Sequence, residues 1–335
     1  MKKLIKFKSP VAITAWASVA GKKEGEGPIG NGFDQVSNDD YFGMETWEQA
    51  ETELQQRAVD ILLNKRGLAK SDIALCLGGD LCNQITSTSY TMRELATPFL
   101  GLYGACSTMA ESMLVGACMV DGGYAQNALA LASSHFCTAE RQFRTPLDYG
   151  GKRTPTAQWT VTGCGTVLLE TQGKDAFITH GMIGSVVDYA IKDVNNMGAA
   201  MAPAAAQTIR DFLQESGTAP EDYDMIFTGD LGACGTALLK QLLNAEGITV
   251  KNHNDCGLIV FDKDRQHVQS GASGCGCGAS VLTSVILPKF SSGEYSNVLF
   301  VATGALMSPT TSLQGESIPS IAHLVNIQSK QRAKG

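Results

Sequence analysis

The sequence predicts an α/β protein made of two similar halves, and three observations carry that reading. Apolar strand-like runs alternate with helical stretches along the whole chain. Two strand ends share one signature, Gly79-Asp80-Leu81 and Gly229-Asp230-Leu231, each just before a helix. Two glycine-flanked turns, at Cys106 and Cys275, each open a small-residue apolar helix that leads to another apolar strand. Cys106 lies 21 residues before Asn127 and Cys275 lies 22 before Asn297, so the two units match in length. Asp80 precedes Cys106 by 26 residues but Asp230 precedes Cys275 by 45, which places an insertion around residues 252–269. The halves read as 1–172 and 173–335, each βαβαβαββ, stacked in a five-layer αβαβα arrangement. The two apolar helices then meet at the centre, with their N-termini converging on one cleft.

Taken in order, residues 11–19 form the first strand. Residues 21–32 are polar and glycine-rich and read as a surface loop or oligomer contact. Gly25, Gly27, Gly30 and Gly32 make no phosphate-binding pattern. Residues 46–65 are the clearest helix. Thr46 and Gln49 form a capping box, Leu54, Ala58, Ile61 and Leu62 make a stripe, and Gly67 stops it. A short strand over 72–77, a helix over 86–95 and the Cys106 turn and helix follow. Residues 127–133 form a buried strand with His135 just past its end, then 138–158 read as a long polar loop and 162–170 as a strand. The second half gives strands at 176–183, 223–228, 297–303 and 318–327. Its helices fall at 197–213, 233–245 and from Cys275 to Leu287.

Composition narrows the function. Of 335 residues, 44% are hydrophobic and 18% charged, enough for a large core. The net charge of −7 and the lack of a basic face argue against nucleic acid. The charged first residues precede no apolar signal core. Glu111 and the glycines around the Cys106 helix argue against a membrane span there. None of the ten cysteines forms a CxxC pair, so neither zinc nor any cofactor is expected, and scattered thiols suit a reducing compartment.

The Cys106 turn is the chemical centre. A cysteine at a helix N-terminus is expected to gain thiolate character from the helix dipole. The free N–H groups of that first turn, beginning at Ser107, could instead hold a small anion.

The duplicated halves and the cysteine turn resemble the thiolase fold of ketoacyl synthases and thiolases. Longer strings resemble the stage V sporulation protein AD family. Among them are Gly79-Asp80-Leu81, Asn83-Gln84-Ile85-Thr86, Gly104-Ala105-Cys106-Ser107-Thr108, Gln142-Phe143-Arg144, Tyr149-Gly150-Gly151 and Gly274-Cys275-Gly276-Cys277. That resemblance implies a role in bacterial endospores. There the family helps move dipicolinate, with or without calcium, across the spore inner membrane, as a peripheral partner of membrane channel proteins. Thiolase-fold relatives imply a homodimer joined through central strands, here near 127–133. The enzymes of the fold add two partners to the cysteine, a His past a strand and a His or Asn at the second turn. This chain has Asp230 and Cys275 there. Without an acid/base and an oxyanion donor, acyl transfer is expected to be lost and the cleft kept for binding. The expected ligand-binding residues are Cys106, Ser107, His135, Arg141, Arg144, Lys152 and Asp230, with arginines gripping the carboxylates. Arg153 lies in the same basic stretch. The competing reading is an active acyltransferase using Cys106 with His135 or His323 as its base.

Overall fold

The computed structural model describes residues 4–143 and 153–333. To the main path of the sheet the first half contributes five strands: β1 (Leu4–Ala20), β2 (Cys76–Gly79), β3 (Phe99–Gly101), β4 (Asn127–Ser134) and β5 (Gly163–Glu170). The second contributes β6 (Ala176–Met182), β7 (Met225–Thr228), β8 (His253–Asp255), β9 (Asn297–Ala305) and β10 (Ser320–Ser329). The spatial order is β3-β2-β4-β5-β1 in the first half and β8-β7-β9-β10-β6 in the second, the same order strand for strand. The directions also match. Four strands of each half run one way, and one, β5 or β10, runs antiparallel to the rest. The pseudo-twofold inferred from spacing is therefore present in the topology. What spacing could not show is that β1 and β6 pair antiparallel, so both halves share one continuous sheet.

Helices lie on both sides. On the outer face of the first half sit α1 (Trp47–Arg66) and α2 (Thr86–Leu95). Thr46 and Gln49 close the capping box, and Gly67 takes the left-handed conformation with φ 68°. Between the halves lie α3 (Thr108–Asp121) and, past a short helix α4 (Phe136–Phe143), the second central helix. The outer face of the second half carries α5 (Met197–Ser216) and α6 (Gly232–Ala245). The second central helix, α7 (Cys275–Val281), continues through a π-turn at Leu282–Ile286 to Ser291. Met109, Met113, Leu114 and Ala117 of α3 are buried against the inner face of the shared sheet. They pack where an all-apolar helix must.

Three expectations change. Residues 21–32 are a docked segment rather than a surface loop. Lys22–Gly25 forms one helical turn, Glu24 is buried, and Gln266 and Arg265 donate hydrogen bonds to the Lys23 and Glu26 carbonyls. Gly27 is needed there because a Cβ would lie 2.0 Å from the Val260 carbonyl oxygen. The insertion at 252–269 is thus a clasp across the halves. Residues 138–143, read as loop, belong to α4, whose one buried face carries Thr138, Ala139 and Glu140. Finally, β4 is flanked on both sides by β2 and β5, so it has no free edge for pairing with a second copy. Among the described residues the sheet ends at β3 and β8.

Candidate functional site

Cys106 sits in a braced turn. Ala105 is left-handed at φ 50°, which turns the chain sharply before α3. The Ser107 and Thr108 side chains donate to the Gly104 and Ala105 carbonyls at 2.6 and 2.7 Å, and their N–H groups bond the same two carbonyls. The Gly104 N–H donates to Thr108 Oγ1 at 3.1 Å. Those first N–H groups, expected to be free for an anion, are used by the turn itself. Ser107 is fully buried in it.

Asp230 faces Cys106 from the end of β7. Its carboxylate accepts from the Gly274 N–H (2.9 Å), Ser273 Oγ (3.0 Å) and Thr303 Oγ1 (2.9 Å). Burial raises its pKa and these bonds oppose the rise. Burial also pushes the Cys106 thiol well above its ordinary value, and the Asp230 charge and Cys275 push it further. The expected dipole-activated thiolate is therefore reversed: desolvation and a neighbouring carboxylate outweigh a helix terminus. Cys275 stands opposite and donates its S–H to the Ala105 carbonyl at 2.9 Å. Burial raises the pKa of Cys275 too, and the Asp80 charge raises it further, as Asp230 does for Cys106.

The two aspartates differ in one respect. Asp80 accepts the Thr88 N–H of α2 at 2.7 Å, as a helix cap does. Asp230 does not cap α6. Asp255 takes that place, accepting the Leu231 and Gly232 N–H groups at 3.0 and 2.9 Å.

The cavity over Cys106 measures about 30 Å³ and includes Leu81, Glu140, Phe143, Thr160 and Met307 in its wall. That holds a water or two, given roughly 10–15 Å³ for each. Glu140 is buried and pairs with Arg153 at 3.1 Å, and Thr160 Oγ1 donates to it at 3.0 Å. Arg153 in turn lies over Trp159 and Phe136, at 4.6 and 5.4 Å from the ring centroids. Beyond Met307 a second, open pocket of about 430 Å³ begins.

Of the expected site residues, Cys106 and Asp230 come together. His135 is buried elsewhere: its Nε2 donates to the Asp40 carbonyl at 2.8 Å and its Nδ1 accepts the Cys137 N–H at 3.2 Å. Burial lowers its pKa. Arg141 is exposed and paired with Glu48. Arg144 and Lys152 lie outside the described residues. His323, the other candidate base, accepts the Gly184 N–H at 3.2 Å and is held at a pKa of about 4 by burial. Glu140 was missed because its stretch read as loop. The apolar-polar spacing of Phe136, Ala139, Glu140 and Phe143 was the available signal.

Two like-ordered half-sheets around two central helices, with a cysteine turn at their junction, define a thiolase-fold protein. Solved structures bear this out. The 3-oxoacyl-(acyl-carrier-protein) synthase III of Aquifex aeolicus VF5 matches with a TM-score of 0.57 at 11% identity, over 94% of this chain and 99% of its own. An OleA variant from Xanthomonas campestris matches at 0.60 and 12%, over 97% and 99%. The family model for stage V sporulation protein AD matches residues 1–328. The stage V sporulation protein AD of Bacillus subtilis (strain 168) is 44% identical over 318 residues, 95% of this chain and 94% of that protein. The chain belongs to the stage V sporulation protein AD family.

Proposed function

We propose that this sporulation-family protein binds dipicolinate without transforming it, and so supports the molecule's passage across the spore inner membrane. The observation that carries the non-enzymatic part is the buried Asp230 carboxylate, whose charge, with burial, raises the pKa of the Cys106 thiol. A thiol held protonated beside a buried carboxylate is a poor nucleophile, and a carboxylate there would repel an oxyanion. The described histidines nearest the expected roles, His135 and His323, are engaged by backbone groups. Cations for the ligand's carboxylates are assigned to Arg144 and Lys152, since Arg141 is paired with Glu48. Among the described residues no helix is long and apolar enough to cross a membrane, which is compatible with attachment through membrane channel proteins. A homodimer belongs to this reading, joined through an end strand of the sheet, β3 or β8, rather than through β4.

The test is calorimetric titration with dipicolinate. Saturable binding by the wild type, weakened about 10- to 100-fold in Arg144→Ala, is the expected result for a lost charged hydrogen bond. Incubation with acyl-CoA followed by intact-mass measurement separates the alternative. A thioester on Cys106 that forms and turns over would overturn the binding-only reading.

A further inference from the structure

The halves match strand for strand, so each segment of one half has a mate in the other. After β1 the chain runs on through residues 21–32, and after β6 through 183–196, each path leading to an outer helix. The first of these mates is covered. Its cover, the clasp, lies in the connector from β8 to the second central helix, residues 256–274. Arg265 and Gln266 donate to its carbonyls, and Lys23 Nζ lies 5.9 Å from the Phe261 ring centroid. The equivalent connector of the first half, from β3 to α3, is only residues 102–107. Those residues are needed to join the sheet edge to α3, and no length is left over for a clasp.

The second mate lies bare. Ile183, Val186 and Tyr189 are 54%, 60% and 62% exposed, and Leu313 is 86% exposed. The only other large apolar side chains more than half exposed among the described residues are Tyr90 and Tyr124. Single exposed apolar residues are ordinary, but a group of them marks an interaction site. The group is held together by bonds between residues 184–192 and the strip that follows Leu313. Lys192 Nζ donates to the Gly315 carbonyl at 2.7 Å, Ser317 Oγ donates to Asp188 at 2.5 Å, and Val187 and Ser320 exchange two backbone bonds at 2.8 Å. Residues 183–196 contain neither helix nor strand, and irregular stretches of that length inside a compact domain are usually functional.

We infer that the strip Ile183–Tyr189 with Leu313 is a docking surface for a segment of another protein, apolar and net positive, laid across it as the clasp lies across its mate. Chain length and charge decide the occupant. The first half's connector is too short, and the clasp is already spent on residues 21–32. The charged residues of the two exposed segments are Asp188, Asp193 and Glu316 against Lys192 alone. That excess of acid attracts lysine and arginine and repels an acidic lipid surface. The clasp shows a similar chemistry at the equivalent place, with Arg265 reaching a backbone carbonyl beside buried Val260 and Phe261. The inference is independent of the dipicolinate reading.

The experiment pans a phage library of random dodecapeptides against the full-length protein. The best peptide is then made with a fluorescent label and titrated by polarisation. The expected peptides are apolar and carry more Lys and Arg than Asp and Glu. Affinity is expected to fall about tenfold or more in Val186→Asp and in Tyr189→Ser, and about two- to threefold in Glu316→Gln. It is expected to hold in Tyr90→Ser, on the outer face of the first half. All four side chains are exposed, so the variants leave the core intact. Failure to enrich any peptide, enrichment of acidic ones, or equal affinity in Val186→Asp overturns the inference. So does self-association in sedimentation that Val186→Asp abolishes, which would make the occupant a second copy. Flotation with phosphatidylcholine–phosphatidylglycerol vesicles that Val186→Asp abolishes would make it lipid, and overturns the inference equally.

Discussion

At the scale of single residues, the cysteine turn shows how a neighbourhood outweighs a motif. A helix N-terminus stabilises an anion by about 0.3–1 kcal/mol at an exposed site. Cys106 is 8% exposed, faces Asp230 and gains less from the terminus than it loses to burial. A measurable consequence follows for thiol labelling of the native protein by iodoacetamide at pH 8. Exposed Cys118 should react first and Cys106 slowly. Asp230→Asn removes the opposing charge, so Cys106 should then react several-fold faster. An unchanged rate, read by peptide mass, would show that burial alone sets its reactivity. The resemblance to the thiolase fold made Cys106 and Asp230 legible in the sequence as a pair. It could not reveal that Ser107 spends its polar atoms on its own turn and His135 bonds the distant Asp40 carbonyl, because neither bond leaves a trace in residue spacing.

At the scale of elements, legibility followed local signals. The helix α1 was readable from Thr46, Gln49 and Gly67 because caps and periodicity act within a few residues. The strand β4 was readable from its continuous apolar run. The segment 21–32 was misread because what holds it lies some 240 residues away, in Gln266 and Arg265. The join of β1 to β6 was invisible for the same reason, since strand register across halves leaves no local trace. The clasp has its own prediction. Gly27→Ala forces a methyl against the Val260 carbonyl, 2.0 Å from its ideal position, and both atoms belong to backbone-anchored segments. The substitution should destabilise the protein by about 1–3 kcal/mol, read as a lower denaturation midpoint. A variant as stable as wild type would mean that the clasp yields freely.

At the scale of the whole molecule, several buried carboxyls tie stability to pH. Glu51 accepts from Ser133 (2.8 Å) and Thr138 (2.9 Å), and burial and the Asp80 charge raise its pKa to about 8. Burial raises Glu24 to about 7 and Asp255 to about 7. Their unfolded values lie near 4, at roughly 4.3 for Glu and 3.9 for Asp. The folded state therefore holds these protons more tightly. The stability they contribute is fully present below about pH 4 and is lost as pH rises through 7 to 8. Glu51→Gln cannot ionise, so its melting temperature should fall less between pH 5 and 8 than that of wild type. Equal slopes would remove Glu51 from this account.

The shared sheet also has a mechanical side. Leu4 pairs with Met182 and Met182 with Leu324, while at the other end Ile13 pairs with Ala176 and Ala176 with Ser329. A pull applied at Leu4 and Ser329 would therefore run along β1, β6 and β10 and load their cross-strand bonds in shear. All would have to break together rather than unzip one by one, so the molecule would resist tension along that line far better than across it.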